Sequence, residues 1–257
     1  MIKAAVVLLV LSLNGYGFAE PLAQVSLILP FSKNNPPHYF ASDEGELKGG
    51  IEPDILWKIF TGMKVEMVYY QLNRASILFK SQQEYDCISP APAQLRGKAG
   101  FYESKEIFSS YYNRAIVLAS AKLPVTSLMS LQGKEIRAFP GASEYLGEEF
   151  AELVKNNKQH YRELSHLIFT IPMLFYKRFD VLIMDEQVFR YHASQLKYDF
   201  LKGENKVVFH HLLPVTHYTL MCKNKALIDM FDSRMKKLRE SGELDTIIRN
   251  NINRQTH

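Results

Sequence analysis

Apolar and polar positions along the chain switch repeatedly between a period of two and a period near 3.6. Val25-Ser26-Leu27-Ile28-Leu29 reads as a strand stopped by Pro30. Pro36-Pro37 keeps the Asn34–His38 loop extended, and Asp43-Glu44-Gly45-Glu46 is a turn. From Ile51 to Phe60, residues Ile51, Ile55, Leu56, Ile59 and Phe60 fall on one helical face, behind an acidic Glu52-Pro53-Asp54 start. A strand over Val65–Tyr70, a helix over Arg74–Lys80 and a short strand over Asp86–Ser89 follow. The same rhythm continues with a strand over Asn113–Ala119, a short helix over Leu128–Lys134 with Gly133 near its stop, and a strand over Glu135–Phe139. Gly141-Ala142-Ser143 opens a helix expected to run to Asn156, and Leu164–Tyr176 is a further helix. Asp180–Met184 is a buried strand, and Asp185–Leu196 is helical. Val207–His210 and Thr216–Met221 are strands, and Ala226–Asn250 is two amphipathic helices split near Ser241-Gly242.

Strands alternating with helices predict an α/β protein with mainly parallel sheets. No internal repeat, low-complexity tract or linker interrupts the pattern.

The first nineteen residues stand apart. Lys3 precedes an apolar run from Ala4 to Leu13, and Gly17 and Ala19 supply small residues at the −3 and −1 positions before Glu20. That layout predicts a signal peptide over 1–19 cleaved after Ala19, and therefore a periplasmic location; an uncleaved anchor is the alternative. The run is shorter than the roughly twenty apolar residues of a membrane span. Cleavage leaves a chain of roughly 240 residues, enough for one large domain or two medium ones.

Composition changes this picture little. Hydrophobic residues make up 47% and charged residues 23% of the chain, ordinary for a globular protein. The net charge of +4 is spread rather than blocked, which gives nucleic-acid binding no support. Cys87 and Cys222 either pair in an oxidising compartment or remain buried thiols, and the sequence leaves both open. No HExxH, GxSxG or GxxxxGK[ST] motif is present. His210 and His211 are adjacent on a strand, so they point to opposite faces and do not readily share one ion.

Several segments, in order, carry a resemblance to a known family. Pro36-Pro37-His38-Tyr39-Phe40 with Gly45 and Gly49-Gly50-Ile51-Glu52-Pro53-Asp54-Ile55 is similar to the opening "PPF…G…GfdvDl" of the periplasmic solute-binding proteins of the polar amino-acid type, family 3. Asp86-Cys87-Ile88-Ser89 with Arg96 resembles "D-x-I-(S/A)…T-x-x-R". Ser130–Lys134 with Gly141-Ala142-Ser143 resembles "DLkGK…GS/GT", and Arg178–Asp185 resembles "G-x-v-D-a-x-x-x-D". The Leu227–Ile248 tail with Gly242 completes a match over nearly the whole mature chain. The subfamily is atypical: Ala93 replaces the motif Thr, Leu72-Asn73-Arg74-Ala75 precedes the second helix, and the "FS-x-PY" element is blurred at 103–107.

The resemblance implies a two-lobe fold around a central ligand cleft. A discontinuous first lobe would comprise 24–107 and 216–257, and 108–215 would form the second. The crossings near 107–112 and 213–217 would make the hinge. It implies an exported monomer that captures a small polar solute, an amino acid or related carboxylate, by lobe closure and hands it to an ABC-type membrane permease complex. A sensing module for a membrane receptor and a dehydratase-like enzyme are the alternatives; for the enzyme, Glu103 or Glu106 would be the acid. No cofactor and no metal is implied.

An amino acid needs a planar cationic donor for its carboxylate and an acid for its ammonium. By motif position these are Arg96, otherwise a solvated loop cation, and Asp185, otherwise the cap of the following helix. Ala142 and Ser143 would offer an amide and a hydroxyl at a helix start, or Ser143 a simple cap. Ser89 matches a polar cleft position, or is a strand-end serine. Tyr39 or Phe40 would supply the aromatic wall, the other joining the core. Asn73 and Arg74 fall near the side-chain pocket, where Arg74 would select an anionic solute or form a surface salt bridge. Trp57 is expected to pack.

Overall fold

A computed structural model describes residues 24–29, 35–42, 46–69, 85–92, 95–164 and 167–254. The expected signal peptide, the expected Arg74–Lys80 helix, Asn73 and Ala93 lie outside the described residues.

In chain order the first elements are β1 (Gln24–Leu29), β2 (Phe40–Ala41), β3 (Leu47–Gly49), α1 (Ile51–Ile59), β4 (Lys64–Tyr69), β5 (Cys87–Ile88), β6 (Tyr102–Glu103) and β7 (Ser109–Tyr111). Then come β8 (Asn113–Leu118), β9 (Ile136–Ala138), α2 (Ala142–Tyr145), α3 (Glu148–Asn156), β10 (Tyr161–Glu163), α4 (Leu167–Phe175), β11 (Val181–Asp185) and α5 (Glu186–Gln195). The last are β12 (Val207–His210), β13 (Thr216–Tyr218), β14 (Met221–Cys222), α6 (Lys225–Glu240) and α7 (Glu243–Ile252).

Two five-stranded sheets organise these elements. One has the order β4-β1-β5-β14-β6, the other β10-β9-β11-β8-β12. In the first, β1 runs parallel to β4 and β5, while β14 runs antiparallel to β5 and β6. In the second, β9 runs parallel to β10 and β11, while β8 runs antiparallel to β11 and β12. The chain passes from one sheet to the other twice, and the two passages pair as a β7–β13 antiparallel ribbon with Tyr111 opposite Thr216 and Ser109 opposite Tyr218.

Both faces of each sheet are covered, which is why their strands read as nearly continuous apolar runs. Val25 and Leu27 pack with Ile55, Leu56 and Phe60 of the α1 segment and Phe231 and Met235 of α6. Ile28, on the opposite face, packs with Ile88, Leu95 and Met221. In β11 the alternation divides Val181 and Ile183, which meet Phe150 and Leu153, from Leu182 and Met184, which meet Phe175 and Phe189.

Cys87 and Cys222 form a disulfide. They face each other in the β5–β14 register, both fully buried, with Cα atoms 4.0 Å apart. An antiparallel pair brings opposed Cα atoms close enough for this bond, and no sequence separation forbids it.

Several expected elements change form. The helix expected from 141 to 156 is broken: Gly147, at φ 93°, separates α2 from α3. Only glycine takes that conformation without strain. The expected helix start at Leu164 is displaced, because the Leu164 amide donates to the Ala138 carbonyl alongside β10. The expected Thr216–Met221 strand is two strands serving different sheets, β13 in the ribbon and β14 in the first sheet. Trp57 is 41% exposed rather than packed.

Candidate functional site

The site begins with a turn. Asn35 and Tyr39 exchange backbone hydrogen bonds at 3.2 Å and close the loop around Pro36-Pro37-His38. The start of α1 has no side-chain cap; the Ile51 and Glu52 amides donate instead to the carbonyls of Pro37 and His38, each at 3.0 Å. Loop carbonyls thus satisfy two of the helix's free donors. Gly50 permits the approach: at φ 133°, a Cβ there would lie 2.4 Å from Tyr39 Cα and 2.5 Å from the His38 carbonyl oxygen.

This turn aims His38 into a buried polar cluster. His38 is 1% exposed, its Nε2 lies 3.2 Å from Asp185 Oδ1 and its Nδ1 lies 3.8 Å from Glu52 Oε1. Its ring stacks on Tyr111 with centroids 3.9 Å apart and 11° between planes. Glu52 is equally buried and accepts from Ser109 Oγ at 2.9 Å and Tyr111 Oη at 3.2 Å. Burial raises the Glu52 carboxyl above its ordinary value, against the opposing pull of His38. Burial, then the nearby Glu52 charge, likewise raise the Tyr111 phenol.

Asp185 ends β11 and caps α5. Its Oδ1 accepts from the Gln187 and Val188 amides, both at 3.0 Å, and its Oδ2 accepts from the Tyr112 amide at 2.6 Å. Burial acts to raise its carboxyl, but the His38 contact and these amides hold it below the ordinary value. The same side chain thus caps α5 and meets the buried His38 ring.

Ser143 meets a different acid. The Gly141 amide donates to Glu163 Oε2 at 2.6 Å, while the Ser143 amide and hydroxyl donate to Oε1 at 3.1 and 2.9 Å. Tyr161 Oη adds a fourth donor at 2.8 Å. Burial pushes Glu163 up, and the four donors outweigh it, leaving its carboxyl lowered. A side chain of the same protein thus fills the cradle expected to take a solute carboxylate. The Ala142 amide donates to the Phe139 carbonyl at 3.2 Å, and its side chain is core.

Arg96 is more open. Its side chain is 52% exposed, and Nε lies 3.2 Å from Glu103 Oε2. Glu103 also accepts from Thr219 Oγ1. Ser89 is buried, with its hydroxyl 3.5 Å from the Thr219 carbonyl. Thr219 adjoins Tyr218, whose phenol is pushed up to about 12 by burial and then by Glu52, Tyr145 and Asp185. The Arg96–Ser89 group is thereby linked to the His38 cluster through the end of the ribbon.

Tyr39 and Phe40 are both buried; Phe40 meets Tyr191 of α5 edge-on at 5.5 Å, and the Arg254 guanidinium lies 4.5 Å above its ring. Glu106 pairs with Arg239, so both candidate acids, Glu103 and Glu106, are held by arginine. Residue patterns did not single out His38, Glu52, Tyr111, Tyr218 or Glu163. The available signals were a histidine directly after the proline pair and a glutamate beside an apolar helix face.

No family model and no curated protein matches the chain in sequence. Solved structures match its fold. The GluR0 ligand-binding core in complex with L-glutamate superposes with a TM-score of 0.64 at 17% identity, covering 91% of this chain and 100% of that one. A histidine kinase sensor domain with similarity to periplasmic binding proteins gives 0.61 at 15% identity, covering 91% and 98%. The arginine-bound amino acid ABC transporter substrate-binding protein AbpA from Streptococcus pneumoniae gives 0.57 at 19% identity, covering 90% and 94%. The two-sheet architecture is the two-lobe periplasmic-binding-protein fold. Proteins of this fold thus include an amino acid ABC transporter substrate-binding protein, a kinase sensor domain and a glutamate-binding core.

Proposed function

We propose that the chain is an exported solute-binding protein that captures a small polar solute, an amino acid or related carboxylate, by closing two lobes on it. The lobes would be 24–107 with 216–257, and 108–215, and the loaded protein would deliver its solute to an ABC-type importer. One observation carries the reading: the chain passes between two sheets as a paired ribbon, and the buried His38–Glu52–Asp185 cluster unites two residues from before the first passage with one from between the two passages. Residues 1–19 have the layout of an export signal, and among the described residues no helix is long and apolar enough to cross a membrane. Similarity to a kinase sensor domain supports a second reading, delivery of the closed form to a membrane receptor.

The test is thermal-shift screening of the mature protein against amino acids and small carboxylates, since a ligand that binds only the folded state raises its melting temperature. Arg96→Ala should abolish the shift given by a carboxylate while leaving the unliganded melting temperature nearly unchanged, because its exposed pair with Glu103 contributes only about 0–1 kcal/mol. A wild-type shift in Arg96→Ala would show that the anion is held elsewhere.

A further inference from the structure

We propose that His38 is a specificity-determining residue: by holding Asp185 it removes the ammonium half of an amino-acid site, so the cleft takes an anion that lacks an α-amine. This rests on the solute-binding reading above.

The three groups expected to meet a zwitterion each have an internal partner, but these partners are not equally replaceable. Arg96 is half exposed and meets one carboxylate, which Thr219 shares. An exposed pair of this kind contributes little and exchanges readily for an incoming carboxylate. Asp185 is different. A carboxylate offers about four lone-pair sites. Here Oδ1 meets the amides of Gln187 and Val188 and the His38 ring, and Oδ2 meets the Tyr112 amide, with the side chain 5% exposed.

An ammonium seeking Asp185 would have to displace His38, which is 1% exposed, stacked on Tyr111 and anchored by the turn that caps α1. Among the described residues Nδ1 of His38 has no hydrogen-bond partner, so displacement would leave both ring nitrogens buried without one there. The charged and titratable groups around the ring are Asp185, Glu52, Tyr111 and, beyond Tyr111, Tyr39 and Tyr218. The imidazole is the base among these groups, the part a ligand ammonium would otherwise take. Glu163 fills the Gly141–Ser143 cradle, where a second anion would meet like charge. Arg96 is left as the contact for the solute's anion.

The experiment measures affinities of wild type, His38→Ala, His38→Gln and Asp185→Asn by calorimetry. The probes are pairs differing only in the amine: L-glutamate and glutarate, L-aspartate and succinate, L-phenylalanine and 3-phenylpropionate. Wild type should favour the amine-free member of a bound pair by at least about tenfold. His38→Ala should erase or reverse that ratio, and His38→Gln, whose amide still donates to Asp185, should retain it. Asp185→Asn, which turns one acceptor among its amide donors into a donor, should leave the preference for the amine-free member in place, because no ligand ammonium is expected to reach that side chain. A wild-type preference for the amine-bearing member overturns the proposal, as does an unchanged ratio in folded His38→Ala. If His38→Ala does not fold, an altered ratio in folded Asp185→Asn overturns it. Silence of folded wild type toward every member overturns the carboxylate-binding reading itself, and the proposal with it.

Discussion

Replacing both cysteines by alanine tests the covalent frame of the molecule. The Cys87–Cys222 bridge spans 135 residues. In the chain-entropy view a cross-link stabilises by restricting the unfolded chain, and a loop of that length corresponds to about 5 kcal/mol at 25 °C. Native strain and residual structure in the unfolded chain lower such figures, so about 2–5 kcal/mol is the expected loss. For a chain of this size, that corresponds to roughly 5–20 °C in melting temperature. Guanidinium titration followed by circular dichroism reads the loss directly as a lower midpoint. Thiol titration of the denatured, unreduced wild-type protein should find no free thiol. Both cysteines are fully buried, so reductant should act slowly on the native protein and quickly once it is unfolded. A midpoint for the double variant equivalent to less than about 1 kcal/mol of destabilisation would refute the entropic argument. Two titratable thiols in the wild type would refute the bond.

Two further outcomes follow from single positions. Gly50→Ala should cost more than about 3 kcal/mol, because its Cβ would lie 2.4 Å from backbone at a φ of 133°; chemical denaturation reads the loss, and a near-neutral result would show that the His38 turn is not held by this contact. His192, largely buried on α5 with Nδ1 unpartnered among the described residues, has its imidazole lowered by burial to about 4. A base lowered on folding leaves the unfolded state binding more protons, so its contribution to stability is lost as pH falls below 6.5 towards 4, by about 3 kcal/mol in all. His192→Gln should flatten the acid limb of the stability curve relative to wild type; identical slopes between pH 7 and 4.5 would contradict it.

Much of the fold was legible because its elements are buried in regular ways. Val181–Met184 announces a strand covered on both faces, and Lys225–Glu240 with Glu243–Ile252 shows helical faces split where Gly242 takes φ 74°. Boundaries were lost where one residue overrides a pattern. Gly147 lies inside an amphipathic run and breaks it by conformation alone, and the 216–221 strand divides because its ends serve different sheets. In the site, Asp185 was visible through its motif position. Its histidine partner was not, because 147 residues separate the two and neither belongs to a shared local period. Glu163 was hidden for the same reason: it reaches back 20 residues to Ser143 across the whole of α3, and the two belong to no shared local period.

The β7–β13 ribbon has a mechanical consequence. Two separate tethers would let one sheet slide, twist and swing against the other independently. Here Ser109–Tyr111 and Thr216–Tyr218 are locked in register, so neither strand can lengthen or slip without breaking its partner's hydrogen bonds. The two passages therefore behave as one strip. Tyr111, at one end of that strip, is stacked on His38 and hydrogen-bonded to Glu52. Any change in the strip's curvature therefore levers the tyrosine against the buried charges.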